Sequence, residues 1–151
     1  MQLAAFSIPM TQIQRSALVA RPASTMFALV NDVVAYPRRF QWCEAAQVLS
    51  QDEAVQVARL DLRMGGLRTS FTTRNQLIPD ECITMNLVDG PFRRLTGAWQ
   101  FTALGDAGSK VGLTMDFEMA GKLFGSALAM GFQRLADRMV EDFVREAMRT
   151  P

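Results

Sequence analysis

Asp116 and Glu118, two residues apart in the string MDFEM, come nearest to a catalytic pair in this 151-residue chain. Carboxylates at that spacing share one face of a strand and can serve as general acid and base. Here they alternate with Met115, Phe117 and Met119. Burying those apolar side chains turns both carboxylates to solvent. Asp61, set between Arg59 and Arg63, reads the same way. The chain has no histidine, which removes the commonest general base, the Ser–His and Cys–His nucleophile pairs and the commonest transition-metal ligand. Its two cysteines, Cys43 and Cys82, lie far apart without CxxC spacing. They read as small hydrophobes of a reducing compartment. No glycine-rich phosphate loop, nucleophile elbow or metal-ligand spacing occurs. The chain is expected to be non-enzymatic, without a catalytic residue or a metal.

Charge narrows the partners little. Sixteen basic and fifteen acidic residues leave a net charge of +1. No overall field draws such a chain to nucleic acid or an anionic membrane, and DNA is not an expected partner. Arg38/Arg39 and Arg93/Arg94 form local basic spots whose plainest reading is solvated surface. Hydrophobic residues make up 49% and charged residues 21%, the balance of a soluble domain large enough to bury a real core. No apolar run approaches the roughly 20 residues that span a bilayer. Met1 to Pro9 carries no charge and is too short for a targeting signal. We expect a loose extension over 1–9 and a single domain over 10–151.

The elements follow from periodicity. Thr11 to Val19 alternates as a first strand. Pro22 breaks it, and Ser24 is a candidate N-cap for a short apolar helix carrying Met26, Phe27, Leu29, Val30, Val33 and Val34. That helix should stop before Pro37, leaving Arg38 to Cys43 as a loop or a second helical turn. From Glu44 the period becomes two: a short strand ending at Val48, then strands separated by Gly65-Gly66, Pro79-Asp80, Asp89-Gly90-Pro91 and Gly105–Gly108. From Lys122 to Arg149 the period returns to that of a helix, apolar at Leu128, Phe132, Leu135, Ala136, Met139, Val140, Phe143, Val144, Ala147 and Met148. An antiparallel meander with one dry face and a helix with one dry stripe are each other's obvious partners. The predicted fold is α+β, a curved antiparallel sheet of about seven strands gripping a long C-terminal helix.

That order, with the strings LVNDVVAYPRRFQWC (Leu29–Cys43), FTTRNQL (Phe71–Leu77), LVDGPFRRLTGAWQF (Leu87–Phe101) and MDFEM (Met115–Met119), resembles the START-like helix-grip superfamily. Within it, the resemblance is to the branch of the ribosome association toxins (RatA) and the coenzyme Q-binding proteins. The resemblance implies a hydrophobic tunnel between sheet and long helix that holds ubiquinone or a related polyprenyl lipid in support of respiration. For the toxin members it implies instead binding to the large ribosomal subunit and a block on subunit joining. One departure stands out: after Tyr36-Pro37 the family continues with an aromatic residue, leucine and proline, whereas this chain has Arg38-Arg39-Phe40-Gln41 before Trp42-Cys43. Two arginines at a tunnel mouth would favour phosphate groups, of lipid or of RNA.

The lining expected for such a tunnel comprises Trp42, Leu60, Leu62, Phe71, Thr73, Met85 and Leu87 from the loop and the first strands. Trp99, Phe101, Met115 and Phe117 follow on the later strands, with Phe124, Leu128 and Phe132 on the helix. Methionines adapt to irregular apolar partners, and Thr69, Thr73 and Asn75 add polar atoms beside Phe71. The stretch from Met119 to Phe132, with glycines at 121, 125 and 131, suits a loosely held entrance near Phe124. A cytoplasmic protein with peripheral contact at the inner membrane is the expected setting, with a prenyl quinone or the large ribosomal subunit as partner.

Overall fold

Alternation of apolar and polar residues builds a sheet that is dry on one side, and the helical stripe at the end of the chain covers it. A computed structural model describes residues 10–121 and 125–149. The order is β1 (Thr11–Val19), α1 (Ala23–Asn31), a 3-10 turn (Val33–Ala35), α2 (Tyr36–Arg39), β2 (Cys43–Gln51), β3 (Val55–Met64), β4 (Leu67–Ile78), β5 (Cys82–Asp89), β6 (Phe92–Leu104), β7 (Gly108–Met119) and α3 (Gly125–Arg149). The seven strands run β1-β7-β6-β5-β4-β3-β2 across one antiparallel sheet. This is the predicted α+β helix-grip fold. Because β1 and β2 occupy opposite edges, the short helices between them must cross the sheet.

Curvature comes from irregular pairing. Register shifts at Cys43/Ala45, Val48/Ser50, Thr72/Thr73 and Phe92/Arg94 bend the strands and raise their twist, as bulges do. The shift at Phe92 also lets Phe92 and Leu95 both turn inward although they are three residues apart. Between β3 and β4, Met64 pairs with Leu67 and Gly65 takes φ +63°, a conformation that favours glycine.

The concave face receives α3. Phe132, Leu135, Ala136, Met139, Val140, Phe143 and Ala147 are all buried, at the spacing that puts them on one side of a helix. Phe132 meets Phe92 and Phe117 with ring centroids 4.9 Å apart in each case. About three turns further along the helix, Phe143 meets Trp99 at 5.1 Å and Phe40 at 4.6 Å. Two aromatic clusters therefore pin the helix to the sheet at separate points.

Several local expectations need correction. Ser24 does not cap α1: the helix begins at Ala23 with extended Pro22 (φ −61°, ψ 155°) flanking it, and no side chain caps it. The proline's fixed φ already suits that position. The apolar helix breaks at Asp32 rather than running to Val34, and the change of phase leaves Val34 exposed while Val33 is buried. The apolar helix does stop before Pro37, and Pro37 itself sits in the first turn of the second helical segment, α2, where its missing N–H costs nothing. β2 continues past Val48 to Gln51 because the bulge at Val48/Ser50 restores pairing with Val57 and Gln56. The expected extension over 1–9, and the expected start of α3 at Lys122, lie outside the described residues.

Phe143 is fully buried and touches Tyr36, Phe40 and Trp99. Phe143→Ala is expected to cost about 3–5 kcal/mol, read as a lower urea midpoint at unchanged m-value.

Candidate functional site

Asp116 and Glu118 do lie on the face opposite Met115 and Phe117, but Glu118 is not solvated: it is 7% exposed and pairs with Arg93 at 3.3 Å. The bulge at Phe92/Arg94 brings Arg93 over it, so the carboxylate is enclosed by its own counter-ion. Asp61 is partly exposed and holds Arg59 at 3.1 Å, a surface pair as expected.

Inside the grip, the space left between sheet and helix is small. A void of about 60 Å³ is bounded by Trp42, Leu60, Leu62, Phe71, Thr73, Met85, Trp99, Met115 and Phe132 among the expected lining residues, together with Tyr36, Leu95, Gly97 and Met139. A second void of about 50 Å³ adjoins it, sharing Tyr36, Leu60, Phe71, Thr73, Met85 and Trp99. Ligand pockets for drug-sized molecules run to roughly 300–1,000 Å³. Leu87, Phe101 and Phe117 border neither void: Phe101 packs on Phe27, and Phe117 on Phe92 and Phe132. Leu128 is half-buried on α3 and also borders neither. Phe124, where an entrance was expected, lies outside the described residues.

The polar groups at the second void are spent on one another. Thr73 donates to Asn75 Oδ1 at 2.8 Å, Asn75 Nδ2 donates to Gln56 Oε1 at 3.2 Å, and Gln56 Nε2 donates to Gln51 Oε1 at 3.0 Å. Among the described residues no buried side-chain polar atom lacks a partner. A ligand would have to break this chain of bonds to be oriented by it. The Tyr36 hydroxyl donates to the Val30 carbonyl, and burial holds its pKa far above the usual phenol range.

The larger depressions are outside. One of about 270 Å³ runs between α3 and the Arg39–Trp42 loop, bordered by Arg39, Arg138, Arg145 and Arg149 with Asp142 and Glu146. Another, about 240 Å³, is bordered by Arg63, Arg134 and Arg138, while a separate one of about 330 Å³ lies across β1 and β7 at Arg15 and Lys110. Trp42 and Arg138 border both of the first two, so these adjoin and together make up a groove along α3. Its floor is rigid. Trp42 stacks on Phe40 at 4.9 Å and donates its Nε1–H to Asp142 Oδ2 at 3.1 Å, tying the loop to the helix. Of the two arginine pairs noted in the sequence, only Arg39 borders this groove, held 3.5 Å from Asp32. The other arginines lie on the charged side of α3, which the sequence shows as a solvated helix face and not as part of a site. The available signal was their spacing at 134, 138, 145 and 149, which lines them up on the opposite face.

Residues 19–144 match the family described as polyketide cyclase / dehydrase and lipid transport. The ribosome association toxin RatA of Pseudomonas aeruginosa is 46% identical over 137 residues, covering 91% of this chain and 95% of that protein. The protein of the same name from Escherichia coli K12 is 41% identical over 140 residues, covering 93% and 89%. Among solved structures, the Zhui aromatase/cyclase of Streptomyces sp. R1128 superposes with a TM-score of 0.83 over 93% of this chain and 95% of its own, at 22% identity. That last likeness concerns the fold alone.

Two measurements check the local chemistry. Asp142→Ala should cost about 1.5–3 kcal/mol by removing the acceptor of the Trp42 bond, and acrylamide should then quench tryptophan fluorescence more readily. Burial pushes the Cys43 thiol up to about 11. The folded state thus keeps a proton that the unfolded thiol releases near pH 8.5, so stability is level below that pH and falls between there and 11. Iodoacetamide at pH 8 should leave Cys43 unmodified until urea unfolds the protein.

Proposed function

We propose, from the premise that this chain belongs to the polyketide cyclase / dehydrase and lipid transport family, that it acts on ribosomes as a ribosome association toxin does. On this reading it binds the large ribosomal subunit, blocks subunit joining and works in the cytoplasm without catalysing a reaction. The observation that carries the reading is the identity of 41–46% to proteins named ribosome association toxin over more than nine-tenths of the chain. The interior supports it. Voids of about 60 and 50 Å³, walled by rings and by mutually bonded amides, leave the outer surface as the part able to meet a large partner.

A second reading, an apolar guest such as a prenyl quinone at Phe71, Met85, Trp99 and Met115, is favoured by the apolar character of the first void. It requires the void to widen several-fold, through repacking of Met85, Met115 and Met139, which all border it. Peripheral contact with a membrane belongs to that reading. Among the described residues no helix is long and apolar enough to cross a membrane.

The two separate in one preparation. Added to purified small and large subunits on a sucrose gradient, the protein is expected to co-sediment with the large subunit and to deplete the joined-ribosome peak. Unaltered joining without co-sedimentation would sink the first reading. Solvent extraction and mass spectrometry of the same preparation should show no stoichiometric prenyl lipid, whereas a bound quinone would establish the second.

A further inference from the structure

We infer that the groove along α3 seats the phosphate backbone of duplex RNA. This deepens the ribosomal reading by assigning a contact surface and the chemistry of its partner. Six arginines border the groove (Arg39, Arg63, Arg134, Arg138, Arg145 and Arg149) against two carboxylates, Asp142 and Glu146. A net charge of only +1 for the whole chain makes that concentration local rather than general. Glu141 stands exposed beside the stripe, on its margin.

The arginines differ in how far they are already engaged. Arg145 and Arg149 pair with Asp142 and Glu146 within α3 at 3.2 and 3.1 Å, and Arg63 pairs with Glu44 at 3.0 Å. Such exposed pairs are weak and exchange readily for a phosphate. Arg134 and Arg138, both exposed, have no ion-pair partner among the described residues. They sit one turn apart, Arg138 where the two depressions meet and Arg134 toward the Gly131 end. From Arg134 to Arg149 the stripe extends about 22 Å along the helix at 1.5 Å per residue, a length that spans several successive phosphates.

The chemistry favours a phosphate backbone over bases. Every cation of the groove is an arginine, whose planar fork matches two phosphate oxygens at once. The aromatic residues of the groove, Phe40 and Trp42, are each only 6% exposed and stack on one another. They offer no free ring on which an unpaired base could stack, which single-strand recognition requires. A regular duplex, read by shape and charge, fits what is left.

The test uses the full chain, isolated large subunits and a fluorescent RNA hairpin with a stem of about 20 base pairs, at salt concentrations from 50 to 200 mM. Arg134→Gln/Arg138→Gln is the groove variant and Arg74→Gln, on the outer face of β4, the control. Circular dichroism melts confirm that each variant folds. The wild type and R74Q should bind both probes, with the groove variant at least tenfold weaker and its log–log salt slope reduced by about one for each arginine removed. Equal binding by the groove variant would overturn the inference and leave the ribosomal reading standing. Subunit binding lost in the variant, with no binding of the hairpin by the wild type, would assign the groove to an acidic ribosomal protein and also overturn it. Hairpin binding through the groove without subunit binding would sustain the inference while removing the ribosomal reading. Failure of the wild type on both probes would remove both.

Discussion

Everything in this fold depends on one contact, the apolar stripe of α3 laid into the concave face of a bent sheet. The sheet cannot bury its inner face alone, and a lone helix of this composition would not hold its form in water. Rings close the contact from both sides: Phe132 against Phe92 and Phe117 near one end, Phe143 against Trp99, Phe40 and Tyr36 toward the other. Apart from the tilted Phe40–Phe143 pair, these contacts are edge-to-face, which adds specificity to the gain from burial. The helix is thereby fixed in rotation as well as in place.

That fixed rotation decides what the molecule presents. With one side of α3 committed to the core, residues 134, 138, 145 and 149 are held on the other. The Trp42–Asp142 bond then draws the Arg39 loop alongside and turns an exposed helix into one wall of a groove. An aromatic core built for stability thus also positions cations. Nearly the same residues leave little interior room, since Phe132, Trp99 and Met139 wall in the small void that remains.

The family likeness and the geometry speak to different levels. Identity across nearly the whole length ties the chain to the ribosome association toxins, whereas the high superposition on an aromatase/cyclase at 22% identity speaks for architecture alone. One scaffold carries both, because the sheet–helix contact fixes the fold while the cavity and the outer face vary independently.

Period-two alternation from Glu44 to Met119 and the 3.6-residue stripe of α3 were enough to establish a strand meander closed by a helix, because those periods follow from backbone geometry and burial alone. Turns at Gly65-Gly66 and Pro79-Asp80 were legible for the same local reason, confirmed by φ of +63° at Gly65 and +65° at Asp80. Bulges were not legible: nothing in the residues around Phe92 announces the shift that buries Glu118 under Arg93. Nor could periodicity reveal how tightly Met85, Met115 and Trp99 fill the grip, since an apolar face reads alike whether it encloses a guest or meets another side chain. The arginines of the groove come from separate parts of the chain, Arg39, Arg63 and the α3 stripe. Only the folding of a loop and a hairpin against the helix brings them together, because charge is summed over distance in space and not along the sequence.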